Sequence, residues 1–166
     1  MKRRIFISYQ HLDRMKAKGF NLLKHNKNVD VDFVGRHLLD PVNSTNEQYI
    51  KSRIKEMMHG TSVTVVLVGR ETCDSQWVQW EIDQSLAKDH PNGIMAIRLE
   101  DARLPESCPV SDALRDAGAE IIDWDAHTFA DAIERAAVAA GRVPTIKRAA
   151  AAAVDDESCA REASII

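Results

Sequence analysis

The 166-residue sequence suits one domain of ordinary size, and its 45% hydrophobic content is enough to build a core. The formal net charge is −3 and basic residues form no stripe, so neither a nucleic acid nor an anionic membrane is expected as a partner. No apolar run approaches the roughly 18 residues of a membrane-spanning helix, and the apolar stretch after Arg4 is too short for a signal peptide. We therefore expect a cytoplasmic protein.

The cysteines and histidines predict no metal site. Cys73, Cys108 and Cys159 are widely spaced and form no C-x-x-C pair, which favours reduced thiols over a disulfide framework or a zinc site. The histidines are scattered, and no pair of them has metal-ligand spacing with a carboxylate.

The first quarter of the chain predicts two strands and a helix between them. Residues 5–9 form a short apolar strand, and the polar residues 10–13 begin a helix. The apolar residues assigned to that helix are Met15, Phe20, Leu22 and Leu23. Residues 29–34 alternate apolar and acidic side chains, which is typical of a half-buried strand near a sheet edge.

The next segment predicts a long loop and then a second helix. Residues 35–46 have no sustained period and include Pro41, and loops of this length often carry function. The cap of the next helix is predicted among residues 43–45. Its apolar stripe comprises Tyr49, Ile50, Ile54, Met57 and Met58, and Gly60 follows its end.

A central strand and helix come next. Residues 63–68 are a continuous β-branched and apolar run, as in a strand buried on both faces of a parallel sheet. Asp74 or Ser75 is the predicted cap of the following helix. The spacing of about 3.6 residues places Val78, Ile82, Ser85 and Leu86 on its core face.

The remaining elements complete an alternating pattern. We predict a strand at residues 93–99, a helix at 110–117, a strand at 120–124 and an alanine-rich helix at 128–141. Alternating strands and helices predict an α/β fold with a five-stranded parallel sheet and helices on both faces. The domain is expected to span residues 1–141, and residues 142–166 are predicted to be a tail, either disordered or an extra helix.

The residues after the strands exclude several α/β chemistries. The first strand leads into Ser8-Tyr-Gln-His, without the glycines of a P-loop or a dinucleotide fingerprint. The third strand ends at Val68-Gly69, where a phospho-acceptor receiver would have an aspartate. The sequence also lacks the G-x-S-x-G turn of a serine hydrolase.

One carboxylate remains near the edge where such folds bind ligands. Trp77 and Glu81 are four residues apart, so they lie together at one border of the core face, with Trp80 farther round. Open α/β sheets bind ligands outside the carboxyl ends of their strands. Spacing alone nevertheless favours a solvated glutamate and two packing tryptophans.

Two motifs in order resemble a known family. Phe6-Ile-Ser-Tyr is followed by Asp13, and Val63-Thr-Val-Val-Leu-Val-Gly is followed by Trp77-Val-Gln-Trp-Glu-Ile. Together they resemble Toll/interleukin-1 receptor (TIR) domains over roughly residues 3–140. More narrowly, they are similar to the bacterial TIR-like family that includes the TIR subunit of Thoeris anti-phage systems. The resemblance implies a flavodoxin-like three-layer sandwich.

The resemblance also implies an activity and a site. In catalytic members the glutamate four residues after the tryptophan is the key residue for the cleavage of NAD. The resemblance therefore makes Glu81 the expected catalytic residue. NAD would be the substrate, with no further cofactor and no metal. The substrate-binding residues implied are Phe6, Ser8, Tyr9, Arg36, Trp77 and Trp80.

The sequence does not determine the product or the partners. The Thoeris likeness favours a cyclic ADP-ribose-type signal that a separate downstream effector reads, whereas attack by water would give linear ADP-ribose. One alternative is a non-catalytic adaptor that associates with itself or with other TIR domains. The other is a module that senses NAD or a related nucleotide without turnover.

Overall fold

The computed structural model describes residues 2–28, 33–36 and 46–144. Its five strands are β1 (Arg3–Tyr9), β2 (Phe33–Arg36), β3 (Val63–Val68), β4 (Gly93–Arg98) and β5 (Glu120–Asp123). They form one sheet in the order β2-β1-β3-β4-β5, and every neighbouring pair is parallel. The predicted five-stranded parallel sheet is confirmed, as is the position of β2 at an edge.

Five α-helices cover the two faces of this sheet. They are α1 (Arg14–Leu22), α2 (Glu47–Met58), α3 (Gln76–Leu86), α4 (Pro109–Asp116) and α5 (Phe129–Ala139). α1 and α5 pack on one face, while α2, α3 and α4 pack on the other. This arrangement confirms the flavodoxin-like three-layer sandwich. No helix in the described ranges is long and apolar enough to span a membrane.

The sheet is buried from both sides at its centre. Every residue of β3 is buried, as its β-branched run predicts. Val65 and Leu67 face the core under α1 and α5, while Val66 and Val68 face α3 and α4. Phe20 anchors α1 in the first of these cores, with its ring centroid 5.2 Å from that of Phe33 in β2.

The apolar residues predicted for two helices are only partly buried. Phe20 is buried in α1, but Met15 is 74% exposed and Leu22 is 63% exposed. In α3 the predicted core residue Leu86 is 38% exposed. The core position predicted for Leu86 was wrong because a short helix needs only a narrow stripe against the sheet, and periodicity does not fix which apolar residues fall within it.

The second strand continues two residues beyond its predicted end at residue 34. Gly35 and Arg36 were predicted to begin the long loop, but they belong to β2, where they pair with Ile5 and Phe6 of β1. These two residues belong to the edge strand because they pair with β1, and the alternation of apolar and polar residues gives no sign of that pairing. Residues 29–32 and 37–45 of the predicted strand and loop lie outside the described residues.

The ends of α2 show one correction and one confirmation. Its cap is Asn46, whose side chain accepts hydrogen bonds from the N–H groups of Gln48 and Tyr49 at 3.0 and 3.2 Å. The predicted caps, residues 43–45, lie outside the described residues. Gly60 follows the helix with a positive φ of 71°, the left-handed conformation that favours glycine.

The cysteine prediction was wrong for two residues. Cys73 and Cys108 form a disulfide, with their Cα atoms 5.9 Å apart. Cys73 lies in the 3-10 turn Thr72–Asp74 after β3, and Cys108 is the N-cap of α4. The two cysteines are 35 residues apart in sequence, and only the packing of α4 beside the end of β3 brings them together. Cys159 lies outside the described residues.

Candidate functional site

The side chains of Ser8 and Glu81 meet on the face of the sheet that α2, α3 and α4 cover. The Ser8 hydroxyl donates a hydrogen bond of 2.5 Å to Oε2 of Glu81. Ser8 is completely buried and Glu81 is 8% exposed. A serine from β1 and a carboxylate from α3 therefore form a buried polar pair between the sheet and α3.

The start of α3 determines where Glu81 lies. Ser75 caps the helix and accepts a hydrogen bond from the N–H of Val78 at 3.3 Å, which confirms one of the two predicted caps. Val78 and Ile82 are fully buried against the sheet. Because Glu81 lies within about 60° of Val78 around the helix, its side chain also points inward. The carboxylate is therefore buried and not on the solvated face.

A chain of buried hydroxyls fixes the backbone of α3 to β3. The Ser85 hydroxyl donates to the main-chain carbonyl of Glu81 at 2.8 Å and lies 2.7 Å from Oγ1 of Thr64. Asn92 donates to the same Thr64 oxygen at 3.0 Å. All three side chains are buried and hydrogen-bonded, so the main chain at Glu81 is held against the sheet.

Lys88, just after the C-terminal end of α3, forms several hydrogen bonds that the sequence did not predict. Its ammonium donates to the carbonyls of Thr61 and Met58 at 2.7 and 3.1 Å and to Oδ1 of Asn92 at 2.6 Å. Burial, together with the charge of Arg142, lowers the pKa of Lys88 to about 8. The two carbonyl acceptors belong to a segment that is 27 and 30 residues away in sequence, so helix periodicity gives no signal for them.

The environment of Glu81 favours its neutral form when no ligand is bound. Burial raises the pKa of Glu81 to about 8, and the hydrogen bond from Ser8 opposes that rise. Among the described residues, none hydrogen-bonds the second carboxylate oxygen, Oε1. The ionised form of Glu81 would therefore have one oxygen whose hydrogen-bonding capacity the described residues do not use.

Two tryptophans and a lysine lie next to Glu81. Trp77 is 39% exposed and Trp80 is partly buried, and their rings meet edge to face with centroids 6.0 Å apart. The Lys51 ammonium of α2 lies 5.5 Å from the Trp80 ring centroid and 6.0 Å from that of Trp77. Through these contacts Lys51 links α2 to the two tryptophans of α3.

The other predicted binding residues occupy different surroundings. Phe6 is buried and packs with Ile54, Met58 and Trp80, so it shares a face of the sheet with Ser8. Tyr9 packs against the core on the opposite face, under α1 and α5.

The backbone of Arg36 pairs with Phe6 in the sheet, and the predicted loop position for it was wrong. The structure thus brings Phe6, Ser8, Trp80 and Glu81 together on one face and separates Tyr9 from them. The substrate roles of all these residues, and of Trp77, stay predictions.

Asp13 forms a second buried contact at the carboxyl edge of the sheet. It is 9% exposed, and its carboxylate lies against Gly69, directly after β3. Thr72 donates to it at 3.5 Å and accepts from the N–H of Gly69 at 2.9 Å. Burial, followed by the charge of Asp101, raises the pKa of Asp13. Asp13 thereby ties the loop after β1 to the loop after β3.

The substitution Gly69→Ala is expected to lower the free energy of unfolding by about 1–3 kcal/mol, because overpacking a buried site has that cost. The new Cβ would overlap the Asp13 carboxylate, which is buried and hydrogen-bonded by Thr72. Urea denaturation followed by circular dichroism measures the change. An unfolding midpoint equal to that of the wild type would contradict the contact.

A double-mutant cycle provides the control for this prediction. Asp13→Ala removes the carboxylate that the new Cβ at position 69 would meet, so the double variant should lose less stability than the two single variants combined. We expect a difference of at least about 1 kcal/mol. Strict additivity would mean that the two residues do not touch.

The matched family is the one that the motifs suggested. A family model described as Thoeris protein ThsB, TIR-like domain, matches residues 6–103. This range runs from β1 past the end of β4 and includes both Ser8 and Glu81. No curated protein matches the chain.

Proposed function

The chain belongs to the Thoeris ThsB TIR-like domain family, and on that basis we propose that it is an enzyme that cleaves the nicotinamide–ribose bond of NAD. Membership gives it a TIR-like role in anti-phage defence. The observation that supports an enzymatic role is the buried pair of Ser8 and Glu81. A desolvated carboxylate with one oxygen that no described residue hydrogen-bonds suits this reaction.

Cleavage of the nicotinamide–ribose bond needs a negative charge near the ribose and does not need a strong acid to protonate the leaving group. When the bond breaks, its electron pair goes to the pyridinium nitrogen, so nicotinamide leaves as a neutral molecule. The ribose carbon becomes oxocarbenium-like and carries positive charge. An ionised Glu81 that accepts hydrogen bonds from the ribose hydroxyls would stabilise that charge, and its partly dry surroundings would strengthen the interaction.

The proposed product is a cyclic ADP-ribose-type signal for a downstream effector. A ring nitrogen of adenine or a ribose hydroxyl held next to the cation would outcompete water through its high effective concentration. Capture by water would instead give linear ADP-ribose, and attack by either water or a ribose hydroxyl releases the O–H proton of the attacking group. Trp77 and Trp80 are the proposed side chains that keep the nucleotide folded and limit the access of water.

Nicotinamide release from NAD by the purified protein tests the proposal. Glu81→Gln and Glu81→Ala should each reduce turnover by at least about 100-fold, since removing a group that stabilises transition-state charge has effects of that size. Asp83→Asn, which changes an exposed acid on the same helix, is the matched control and should retain wild-type activity.

Chromatography of the nucleotide product separates cyclisation from hydrolysis. Turnover that survives both substitutions at Glu81 would place the chemistry elsewhere. Because TIR enzymes often act as assemblies, the assay is repeated with lysate from phage-infected cells to supply a trigger.

A non-catalytic adaptor is the second candidate, and a separate observation favours association with other TIR domains. Leu12, Met15 and Leu22 are 67%, 74% and 63% exposed on and beside α1. Several large apolar side chains exposed along one short stretch of chain favour an interaction site. A wild-type protein that releases no nicotinamide under either condition would favour this function. Ligand-induced stabilisation by NAD without nicotinamide release would favour a sensor instead.

A further inference from the structure

Ser8 lies where it can reach Glu81 but not a ligand at the surface. It pairs with Val66 in the interior of the sheet, and none of its surface is exposed. Its hydroxyl is committed to Oε2 of Glu81 at 2.5 Å. A direct contact between this hydroxyl and a nucleotide would require breaking that hydrogen bond.

The two oxygens of the Glu81 carboxylate therefore have different surroundings. Oε2 accepts from Ser8, while no residue among 2–28, 33–36 and 46–144 donates to Oε1. We propose that Ser8 is a positioning residue that holds Oε2 so that Oε1 faces the ribose hydroxyls of NAD. This inference rests on the proposed NAD-cleaving function and replaces the substrate contact predicted for Ser8.

The contact also favours the charged form of the carboxylate. A hydroxyl that donates to an ionised oxygen stabilises the anion against the cost of burial. Within the described residues, burial and Ser8 are the two influences on the pKa of Glu81. The nearby cation on α2, Lys51, lies over the tryptophan rings. Removing the hydroxyl should therefore make Glu81 harder to ionise.

The pH dependence of nicotinamide release by Ser8→Ala tests the proposal. Because the reaction uses ionised Glu81, the rate should rise with pH, and its midpoint should move upward by about one pH unit in the variant. At pH 7 this corresponds to a loss of about tenfold in rate, which is largely recovered at high pH. Ser8→Thr, which keeps the hydroxyl, should restore the wild-type midpoint.

Ser111→Ala is the matched control, since it removes another buried hydroxyl, at the start of α4, that hydrogen-bonds Cys108 and not Glu81. It should lower the melting temperature without moving the pH midpoint. If Ser8 only bound substrate, Ser8→Ala would raise KM at every pH. That outcome, or an unchanged midpoint, would overturn the positioning role.

A titration that needs no turnover separates this inference from the proposed function. The pKa of Glu81 can be followed by carboxyl ¹³C NMR, with the resonance assigned by its loss in Glu81→Gln. The pKa should be higher in Ser8→Ala than in the wild type, even for a protein that never releases nicotinamide. Equal values would overturn the inference, whereas a wild type without turnover would overturn only the proposed function.

Discussion

Glu81→Gln is expected to stabilise the folded protein at alkaline pH while it removes the proposed activity. Glutamine has nearly the same shape as glutamate, and its amide oxygen can still accept the hydrogen bond from Ser8. It carries no charge, so it avoids the cost of burying a carboxylate anion. The variant should therefore exceed the wild type in stability wherever folded Glu81 or its unfolded counterpart is ionised.

The direction in which the stability of the wild type changes with pH follows from the two pKa values of Glu81. The group ionises near 4.5 in the unfolded chain and near 8 in the folded protein. Between these values the folded state binds more protons, so the free energy of unfolding of the wild type falls as pH rises. Glutamine does not titrate, and the advantage of the variant should appear above pH 4.5 and level off above pH 8.

The plateau should be on the order of 3–5 kcal/mol, since each pKa unit corresponds to about 1.4 kcal/mol. Urea denaturation of both proteins from pH 5 to pH 9 measures it. Glu120→Gln is a suitable control, because the hydrogen bond from Arg135 lowers the pKa of Glu120. Because that ion pair is exposed, Glu120→Gln should lower the free energy of unfolding by less than about 1 kcal/mol, whereas Glu81→Gln should raise it. Parallel pH profiles for wild type and Glu81→Gln would refute the buried ionisation.

Gly93→Ala is expected to have the largest effect on folding. A Cβ at this first residue of β4 would overlap the main-chain carbonyl of Ala136 in α5. Neither backbone segment can rotate away, and α5 buries Phe129, Ala132 and Ala137 in the core. The free energy of unfolding should fall by more than about 3 kcal/mol.

Thermal melts monitored by circular dichroism test this prediction, with Gly19→Ala as the control. Gly19 lies in α1, where a new Cβ would meet no neighbouring atom. Alanine should raise the stability there by up to about 1 kcal/mol, because it favours a helix. If Gly93→Ala melted within a few degrees of the wild type, α5 could not pack against β4 as described.

The order and type of the strands and helices could be predicted from sequence because each element has its own period. The buried run of β3 and the change to helical spacing in α3 are local signals. The end of β2 is not local, since Gly35 and Arg36 become a strand only by pairing with β1. The disulfide between Cys73 and Cys108 likewise depends on how two distant segments pack.

The candidate site was only partly predictable for the same reason. Spacing placed Glu81 at the border of the core face of α3, and the family resemblance singled it out. Its burial depends on how deeply Val78 and Ile82 seat the helix, which no pattern encodes. The hydrogen bond from Ser8 and the contact between Asp13 and Gly69 join different elements, so sequence spacing gives no account of either.

The sequence separation of Ser8 and Glu81 determines when the pair can form during protein synthesis. The two residues are 73 positions apart, and β1 meets its inner neighbour β3 only after most of the intervening chain exists. Pairings between distant segments form late because the chain between them must first be ordered. A nascent or prematurely terminated polypeptide that ends before α3 lacks the carboxylate altogether. The ribosome must therefore translate about half of the sequence before the Ser8–Glu81 pair can assemble.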